Sequence, residues 1–416
     1  MMRNLNDLLA LPQIFVGALF LLNINFRYCI IMMSYTLILF GGVIMKLFRG
    51  ITTALIALVS LSAVSTSAQA STYTQKSHAL SPYTASKWKT VANANNYVTK
   101  PSYVANPYNY FQTSATQLTY ARGNQRASFK TNIFLPAVLH SNSPADWGNP
   151  QSIALTSGGG TAYVMYAAAS NAKTGWVAKY NLSKLRNTYK VSSSRMDLLR
   201  HAFYVLMQGG DTSEYKAVRK CVTYGSRFTT GHGQSLAMNP KNGQLWFVQN
   251  PGTSGGTATV QRLSKTTLRP YQTVKFKPRS SDGHKVTMGS NLTFDKAGHA
   301  YFSSFVAGSK KLKIYKGTIS SKHVKFALVM QGLKYRPGTV NQSISYNSHS
   351  NRLYFISDES ISSVPVSKLG KLKPSDVKAT AFNGHREFEG LAFTSSGTPY
   401  LLLNRSAEIM KGSGIQ

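Results

Sequence analysis

Hydrophobic and polar positions recur along the chain in a five-residue block that is followed by a turn and an aromatic residue. The block opens on a polar residue, carries apolar side chains at its third and fifth positions, and has a small residue at its fourth. Its five copies begin at Gln151, Gln234, Ser290, Gln342 and Glu389. The aromatic residue follows the start of its block by 11 or 12 positions and is Tyr163, Trp246, Tyr301, Tyr354 or Tyr400.

This pattern predicts a β-hairpin in every copy, because apolar residues at alternate positions are typical of a strand with one buried face. The turns are rich in Gly and Asn, which reverse a chain readily. Successive copies begin 83, 56, 52 and 47 residues apart, and repeats near fifty residues are typical of propeller blades. We therefore predict an all-β fold, a five-bladed β-propeller over residues 117–416 with the block strands innermost. The alternatives are a sixth blade hidden near Gln117 and a β-sandwich of similar strands.

The long first interval predicts a small helical insertion around residues 194–220. Apolar residues recur at helical spacing between Ser194 and Met207, Gly209 and Gly210 follow, and a second short helix is expected over Thr212–Arg219. The stretch that starts at Gln117 alternates again. Its position predicts a strand that completes the last blade and closes the ring.

The first 70 residues read as export signals rather than as part of the fold. Lys46 and Arg49 precede an apolar run and a small-residue cleavage site at 68–70, which predicts a signal peptide over residues 45–70. Residues 1–44 are apolar, lie upstream of a complete signal, and are interpreted as a mis-assigned leader before a true start at Met45. We predict a secreted, cell-wall-associated protein that contacts membrane only through an uncleaved leader.

The most unusual feature of the composition is its strongly positive net charge. Lys and Arg number 47 against 13 Asp and Glu, a formal charge of +34, which predicts polyanionic partners. Residues 71–116 are rich in Tyr, Asn and Lys and poor in aliphatic residues, so we expect a flexible basic arm that binds anionic cell-wall polymers or surface glycans. Its basic residues are Lys76, Lys87, Lys89 and Lys100. Surface-layer proteins are further candidate partners, and nothing in the chain specifies a nucleic acid sequence.

The densest acidic feature leads into the last block. Alternation places Glu387 and Glu389 on one face of a strand, and Glu389 occupies the slot that Gln151, Gln234 and Gln342 fill elsewhere. These four polar side chains are predicted to share one end of the axis, with His232 and His385 above them and Trp147 on the same binding surface. Glu387 and Glu389 are the catalytic candidates. No ligand spacing predicts a metal site, and no cofactor is expected.

Blocks such as GHGQSLAMNPKNGQLWF and the final HREFEGLAF, in an exported chain with few cysteines, resemble the helveticin J-like bacteriocins of lactobacilli. The resemblance covers roughly Asn149 to Met410. It implies a secreted protein that acts on, or adheres to, bacterial envelopes. The signal and the strong positive charge are similar to those of surface-layer-associated proteins.

Two classes of function remain open on the sequence. One is a bacteriocin-like or cell-surface protein that binds anionic envelope polymers. The other is a secreted propeller glycan hydrolase or a carbohydrate-binding adhesin, since glycosidases need two carboxylates across the scissile bond. Asp146, Asp211, Asp282, Glu387 and Glu389 are the carboxylates available for that chemistry.

Overall fold

A computed structural model describes residues 71–94, 110–136, 148–168 and 171–415. Five small sheets are arranged in a ring around one axis, so the fold is a five-bladed β-propeller. None of the helices in these residues is both long enough and apolar enough to cross a membrane. The leader, the signal peptide, Lys100 and Trp147 lie outside the described residues.

Each blade takes its inner strands from one repeat, and the bounds are as follows. Blade 1 contains β6 (Asn149–Leu155), β7 (Thr161–Ala168), β8 (Asn171–Asn181), β9 (Val222–Tyr224) and β10 (Phe228–Thr229). Blade 2 contains β11 (Ala237–Met238), β12 (Leu245–Pro251), β13 (Ala258–Leu263), β14 (Pro270–Phe276) and β1 (Ser71–Thr74). Blade 3 contains β15 (Thr293–Phe294), β16 (Ala300–Phe305), β17 (Leu312–Ile319), β18 (Val324–Leu328), β19 (Gln331–Leu333) and β2 (Lys89–Val91).

The last two blades combine strands from both ends of the chain. Blade 4 contains β20 (Ser343–Asn347), β21 (Arg352–Ser357), β22 (Ser360–Pro365), β23 (Lys378–Phe382) and β4 (Tyr120–Gly123). Blade 5 contains β24 (Phe388–Phe393), β25 (Pro399–Leu403), β26 (Glu408–Ser413), β5 (Ser128–Phe134) and β3 (Gln117–Leu118). Short 3-10 turns lie at Ala85–Lys87, Thr253–Gly255, Val366–Lys368 and Pro374–Asp376.

The small fourth position of the block lies opposite the aromatic residue in every blade. The register pairs are Ala154 with Tyr163, Ala237 with Trp246, Thr293 with Tyr301, Ser345 with Tyr354, and Ala392 with Tyr400. Directly opposed side chains are about 5 Å apart at Cβ. A small residue therefore leaves room for the ring, and this pairing explains the constant spacing in the sequence.

The block strands are innermost, as the sequence predicts. Strands β6, β11, β15, β20 and β24 contact one another in that cyclic order around the axis. Their third-position side chains are all at most 5 % exposed and are Ile153, Leu236, Leu292, Ile344 and Leu391. Hydrogen bonds also join neighbouring blades here, since the Ser152 hydroxyl donates to the Gly233 carbonyl (2.5 Å) and accepts from the Leu236 amide (3.1 Å).

The ring is closed by chain that precedes the first block. Strand β5 pairs antiparallel with β26 and completes blade 5, β3 pairs with β5, and β4 pairs with β23 of blade 4. The prediction that the stretch from Gln117 completes the last blade is confirmed. The alternative of a sixth blade is wrong, because these strands extend two existing sheets at their outer edges.

Residues 71–94, the described first part of the predicted flexible arm, are paired with the propeller. Strand β1 adds in parallel to β14 of blade 2, and β2 adds in parallel to β19 of blade 3. Between them Ala79 and Leu80 are buried against blade 3. Backbone pairing at exposed sheet edges orders the segment, and a few apolar side chains suffice to anchor it.

The helical insertion contains α1 (Leu182–Asn187), α2 (Leu198–Met207) and α3 (Ser213–Arg219). The first lies before the predicted insertion and begins after Asn181, whose side chain accepts a hydrogen bond from the Lys184 amide and caps the helix. Helix α2 packs into the seam between blades 1 and 5. Its buried Arg200 donates to the backbone oxygens of Leu135 (2.9 Å) and Ala407 (2.5 Å) in blade 5.

Candidate functional site

The polar first positions of the blocks meet at one end of the propeller axis. Gln151, Gln234, Gln342 and Glu389 are each less than 10 % exposed. In blades 1 and 5 this residue sits at a register shift, between Pro150 and Ser152 and between Phe388 and Gly390. Such bulges redirect a side chain out of the regular strand pattern. Blades 2 and 4 hold their glutamines just before the innermost strand begins.

Hydrogen bonds connect these four side chains in two pairs. Gln151 Nε2 donates to Glu389 Oε1 (3.5 Å), which joins the adjacent blades 1 and 5. Gln234 Nε2 donates to Gln342 Oε1, although blades 2 and 4 are not neighbours in the ring. The third copy has Ser290 in this slot. The structure thus brings these four side chains together, and a binding role for the cluster stays a prediction.

Asp358 is a member of this cluster that the sequence did not single out. It lies in the turn after β21, where its Oδ1 accepts from Gln342 Nε2 (2.9 Å) and from the Phe388 amide (3.0 Å). The next residue, Glu359, accepts from the amides of Gly384 (2.7 Å) and Arg386 (3.1 Å). The signal available in the sequence was a pair of adjacent acidic residues, Asp358 and Glu359, between two strand segments. If such carboxylates are buried, they must find hydrogen-bond donors.

The electrostatics of the cluster favour a protonated Glu389. Burial raises the pKa of Glu389 well above its usual range, and the carboxylates Glu387 and Asp358 raise it further. Hydrogen bonding from Gln234 and Asn404 opposes this shift. Burial also raises the pKa of Glu387, against the pull of Arg405, whose Nε donates to Glu387 Oε2 (2.9 Å). The site thus combines a buried carboxyl of raised pKa with a partly buried ion pair between Glu387 and Arg405.

The two predicted histidines lie in loops that lead into innermost strands. His232 is exposed before blade 2, and partial desolvation by the surrounding protein lowers its pKa. His385 precedes blade 5 and has a left-handed backbone with φ 54°. Gly384 and Arg386, on either side of it, give their amides to Glu359. The histidines therefore share an end of the axis with the cluster.

Other predicted chemistry is spread over the molecule. Asp211 binds Arg219 (2.6 Å) in the helical insertion, and Asp282 binds Ser280 and His284 in the loop before blade 3. Burial raises the pKa of the Cys221 thiol, which is 4 % exposed. Within the described ranges no group of three or more His, Cys, Asp or Glu is arranged to hold a metal ion. Of the candidate carboxylates in the described ranges, Glu387 and Glu389 alone lie together, and Asp146 lies outside those ranges.

The predicted wall-binding lysines lie on the outer edges of two blades. Lys76, Lys87 and Lys89 are exposed on the segment that pairs with blades 2 and 3. Beside them Lys313 Nζ lies 5.7 Å from the centre of the Tyr83 ring and 5.4 Å from that of Trp88. Cations over aromatic faces and exposed lysines are thus combined on one surface.

Comparison with known proteins adds only distant structural similarity. No protein-family model and no curated protein matches the chain. A streptogramin B lyase structure is similar at TM-score 0.30 and 12 % identity, over 71 % of this chain and 78 % of the other. A hydrazine synthase of Kuenenia stuttgartiensis is similar at TM-score 0.32 and 9 % identity, over 64 % of this chain and 84 % of the other. A Bacteroides thetaiotaomicron protein of unknown function is similar at TM-score 0.35 and 9 % identity, over 78 % of this chain and 74 % of the other.

Proposed function

We propose that this is an exported protein that binds anionic polymers of the bacterial envelope through a basic surface on blades 2 and 3. The resemblance to helveticin J-like bacteriocins and to surface-layer-associated proteins supports an envelope target. Binding by charge needs no buried pocket. In this proposal the buried polar cluster at one end of the axis has a structural role and holds the blades together.

The distribution of carboxylates is the observation that carries this proposal. Between Glu214 and Asp282 the chain has 11 Lys and Arg residues and no acidic residue. Between Asp295 and Asp358 it has 10 Lys and Arg residues and again no acidic residue. These intervals supply nearly all of blades 2 and 3. The acidic residues Asp358, Glu359, Glu387, Glu389 and Glu408 belong instead to blades 4 and 5. The positive field is therefore uneven around the ring.

The amino-terminal segment strengthens this surface. It adds Lys76, Lys87 and Lys89 along blades 2 and 3, and it contains no acidic residue. Tyr83 and Trp88 provide aromatic faces next to these charges. Aromatic faces pack against sugar rings and lysines attract phosphates, so this combination suits phosphate-bearing wall polymers.

The physical basis is counterion release. A polyanion carries condensed cations, and a basic protein that neutralises its phosphates releases them, so affinity falls steeply as salt rises. The same field accelerates encounter with the polymer. A strongly salt-dependent affinity is thus the signature of this mode of binding.

A pull-down on isolated cell walls tests the proposal. The chain from Ser71 onward is incubated with walls at increasing sodium chloride, and with walls from which the anionic polymers have been removed. We expect retention at low salt, release as salt rises, and weak retention on the stripped walls. Equal retention on both kinds of wall, or retention that persists at molar salt, would overturn binding through the field.

A glycan hydrolase is the second candidate, and the raised pKa values of Glu387 and Glu389 favour it, because a general acid must hold a proton near neutral pH. Glu389 is only 1 % exposed, so a substrate would have to displace its hydrogen-bond partners. Release of reducing sugar from cell walls, compared between the protein and its Glu387→Gln and Glu389→Gln variants, separates the two functions. Equal release by all three proteins would exclude catalysis by these carboxylates.

A further inference from the structure

The end of the axis opposite the polar cluster contains a cavity. Its volume is about 490 Å³, and it is enclosed by the innermost strands and by the turns that follow them. Ligand pockets in proteins commonly have volumes of roughly 300–1,000 Å³ and mostly apolar walls. The size therefore suits a small ligand.

All five repeats contribute the same position to the wall of this cavity. The fifth residue of each block lines it, namely Leu155, Met238, Phe294, Tyr346 and Phe393. Third-position side chains of four blades, Ile153, Leu236, Ile344 and Leu391, lie deeper along the axis. Every blade thus contributes at least one apolar side chain to the wall. Further along the axis, toward the first block positions, lies the hydrogen bond between Gln234 and Gln342, and the cavity on this side of it is hereafter called the tube.

The mouth of the tube is positively charged. Lys265 and Lys296 are exposed among the lining residues, and Ser157, Ser348 and Ser395 add hydroxyls. Among the described residues that line the cavity there is no carboxylate. The nearest acidic residue in sequence, Asp295, is engaged by His299 (2.9 Å) and by the Tyr301 hydroxyl (2.8 Å). The two lysine charges are therefore available to an anion at the mouth.

We propose that this tube binds a free single-chain amphiphile, an alkyl chain that ends in a phosphate or carboxylate. The chain lies along the axis, where apolar burial stabilises it, and the anionic head contacts Lys265 and Lys296. The apolar side chains of the wall favour an alkyl chain, and the two lysines favour an anionic over a neutral head. This site is separate from the basic outer surface and does not depend on wall binding.

Isothermal titration with decyl phosphate, performed below its micelle concentration and in 0.5 M sodium chloride to screen the surface charge, tests the proposal. We expect saturable binding at one site, and about fourfold tighter binding for each methylene added between octyl and decyl phosphate. Inorganic phosphate and decyl maltoside, which lack the chain or the charge, should bind at least tenfold more weakly. Absence of chain-length dependence on the unaltered protein would overturn the proposal.

Matched variants locate the site. Met238→Trp, at a half-buried position in the wall, should abolish decyl phosphate binding while the thermal transition is retained. The double change Lys265→Gln and Lys296→Gln should weaken binding about tenfold or more, because charge-assisted hydrogen bonds are lost. The double change Lys322→Gln and Lys371→Gln removes the same charge outside the cavity and should leave binding unchanged. Equal weakening by both double variants would assign the binding to net charge and reject the site.

Discussion

Arg386 and Glu408 form an ion pair inside blade 5, where Arg386 Nη1 donates to Glu408 Oε1 at 2.7 Å. Their side chains are 6 % and 0 % exposed. The hydroxyl of Thr131, on the closing strand β5, also donates to Glu408 Oε2 (2.6 Å), and Thr116 donates to both carboxylate oxygens. One buried carboxylate thus connects the last repeat with the chain that closes the ring.

Removal of the arginine should destabilise the protein strongly. Arg386→Met leaves Glu408 buried without its cation, and breaking a buried pair in this way costs about 3–5 kcal/mol. The double variant Arg386→Met with Glu408→Gln should recover part of that loss, since the neutral amide still accepts from the threonines. Urea denaturation of both variants measures this difference. A single-variant loss below about 1 kcal/mol would contradict the role of the pair in closure.

Truncation of a third-position block residue should leave a cavity between blades. Leu292 is 1 % exposed, so Leu292→Ala should lower the free energy of unfolding by about 2–5 kcal/mol. The matched control is Leu206→Ala on helix α2, where the side chain is 46 % exposed and the change should cost at most about 0.5 kcal/mol. Thermal melts of equal midpoint for the two variants would be inconsistent with the inner packing described above.

The propeller and its inner ring could be predicted because one steric rule repeats. Every blade needs a small residue opposite a large ring, as with Ala237 opposite Trp246, and such a rule leaves a fixed spacing in the sequence. The convergence of Gln151, Gln234, Gln342 and Glu389 followed from the same register. Residue types that recur at the same position of every repeat can therefore be placed in the fold from the sequence.

Contacts without a repeated pattern could not be predicted. Strands β1 and β2 are held through backbone pairing at sheet edges, which their polar, tyrosine-rich side chains do not encode. The hydrogen bond between Gln234 and Gln342 joins two blades that are not neighbours in the ring, across 108 positions of the sequence. Asp358 joins the cluster from a different hairpin. Each of these requires knowledge of which elements lie together in space.

The raised pKa of Glu389 predicts a pH dependence of stability. A carboxyl whose pKa is raised by folding holds its proton more tightly in the folded state than in the unfolded one. Its stabilising contribution is complete below the unfolded pKa of about 4.3 and is lost as pH rises through the folded pKa. The Glu389→Gln variant cannot ionise and should lose less stability over this interval.

Thermal melts between pH 4 and pH 8 measure this effect. The control is Glu214→Gln, because hydrogen bonding to Arg195 lowers the pKa of Glu214 and gives the opposite sign. The stabilisation from Glu214 is present above its unfolded pKa and is lost as pH falls through the folded one, so above that unfolded pKa this control should keep the pH dependence of the unaltered protein. Parallel pH profiles for Glu389→Gln and the unaltered protein would show that Glu389 does not carry the proton.

The location of the basic surface predicts that lysines of equal charge contribute unequally to wall binding. Glutamine at Lys310, Lys311, Lys322 and Lys325 removes four exposed charges from blade 3, whereas glutamine at Lys130, Lys190, Lys371 and Lys411 removes four exposed charges elsewhere. Both variants lower the net charge equally.

If phosphates contact blade 3, the first variant should bind isolated walls about tenfold or more weakly, with a salt slope reduced by roughly one for each lost contact. The second variant should retain most of its affinity. Equal losses in the two variants would mean that total charge, and not the surface of blades 2 and 3, holds the polymer.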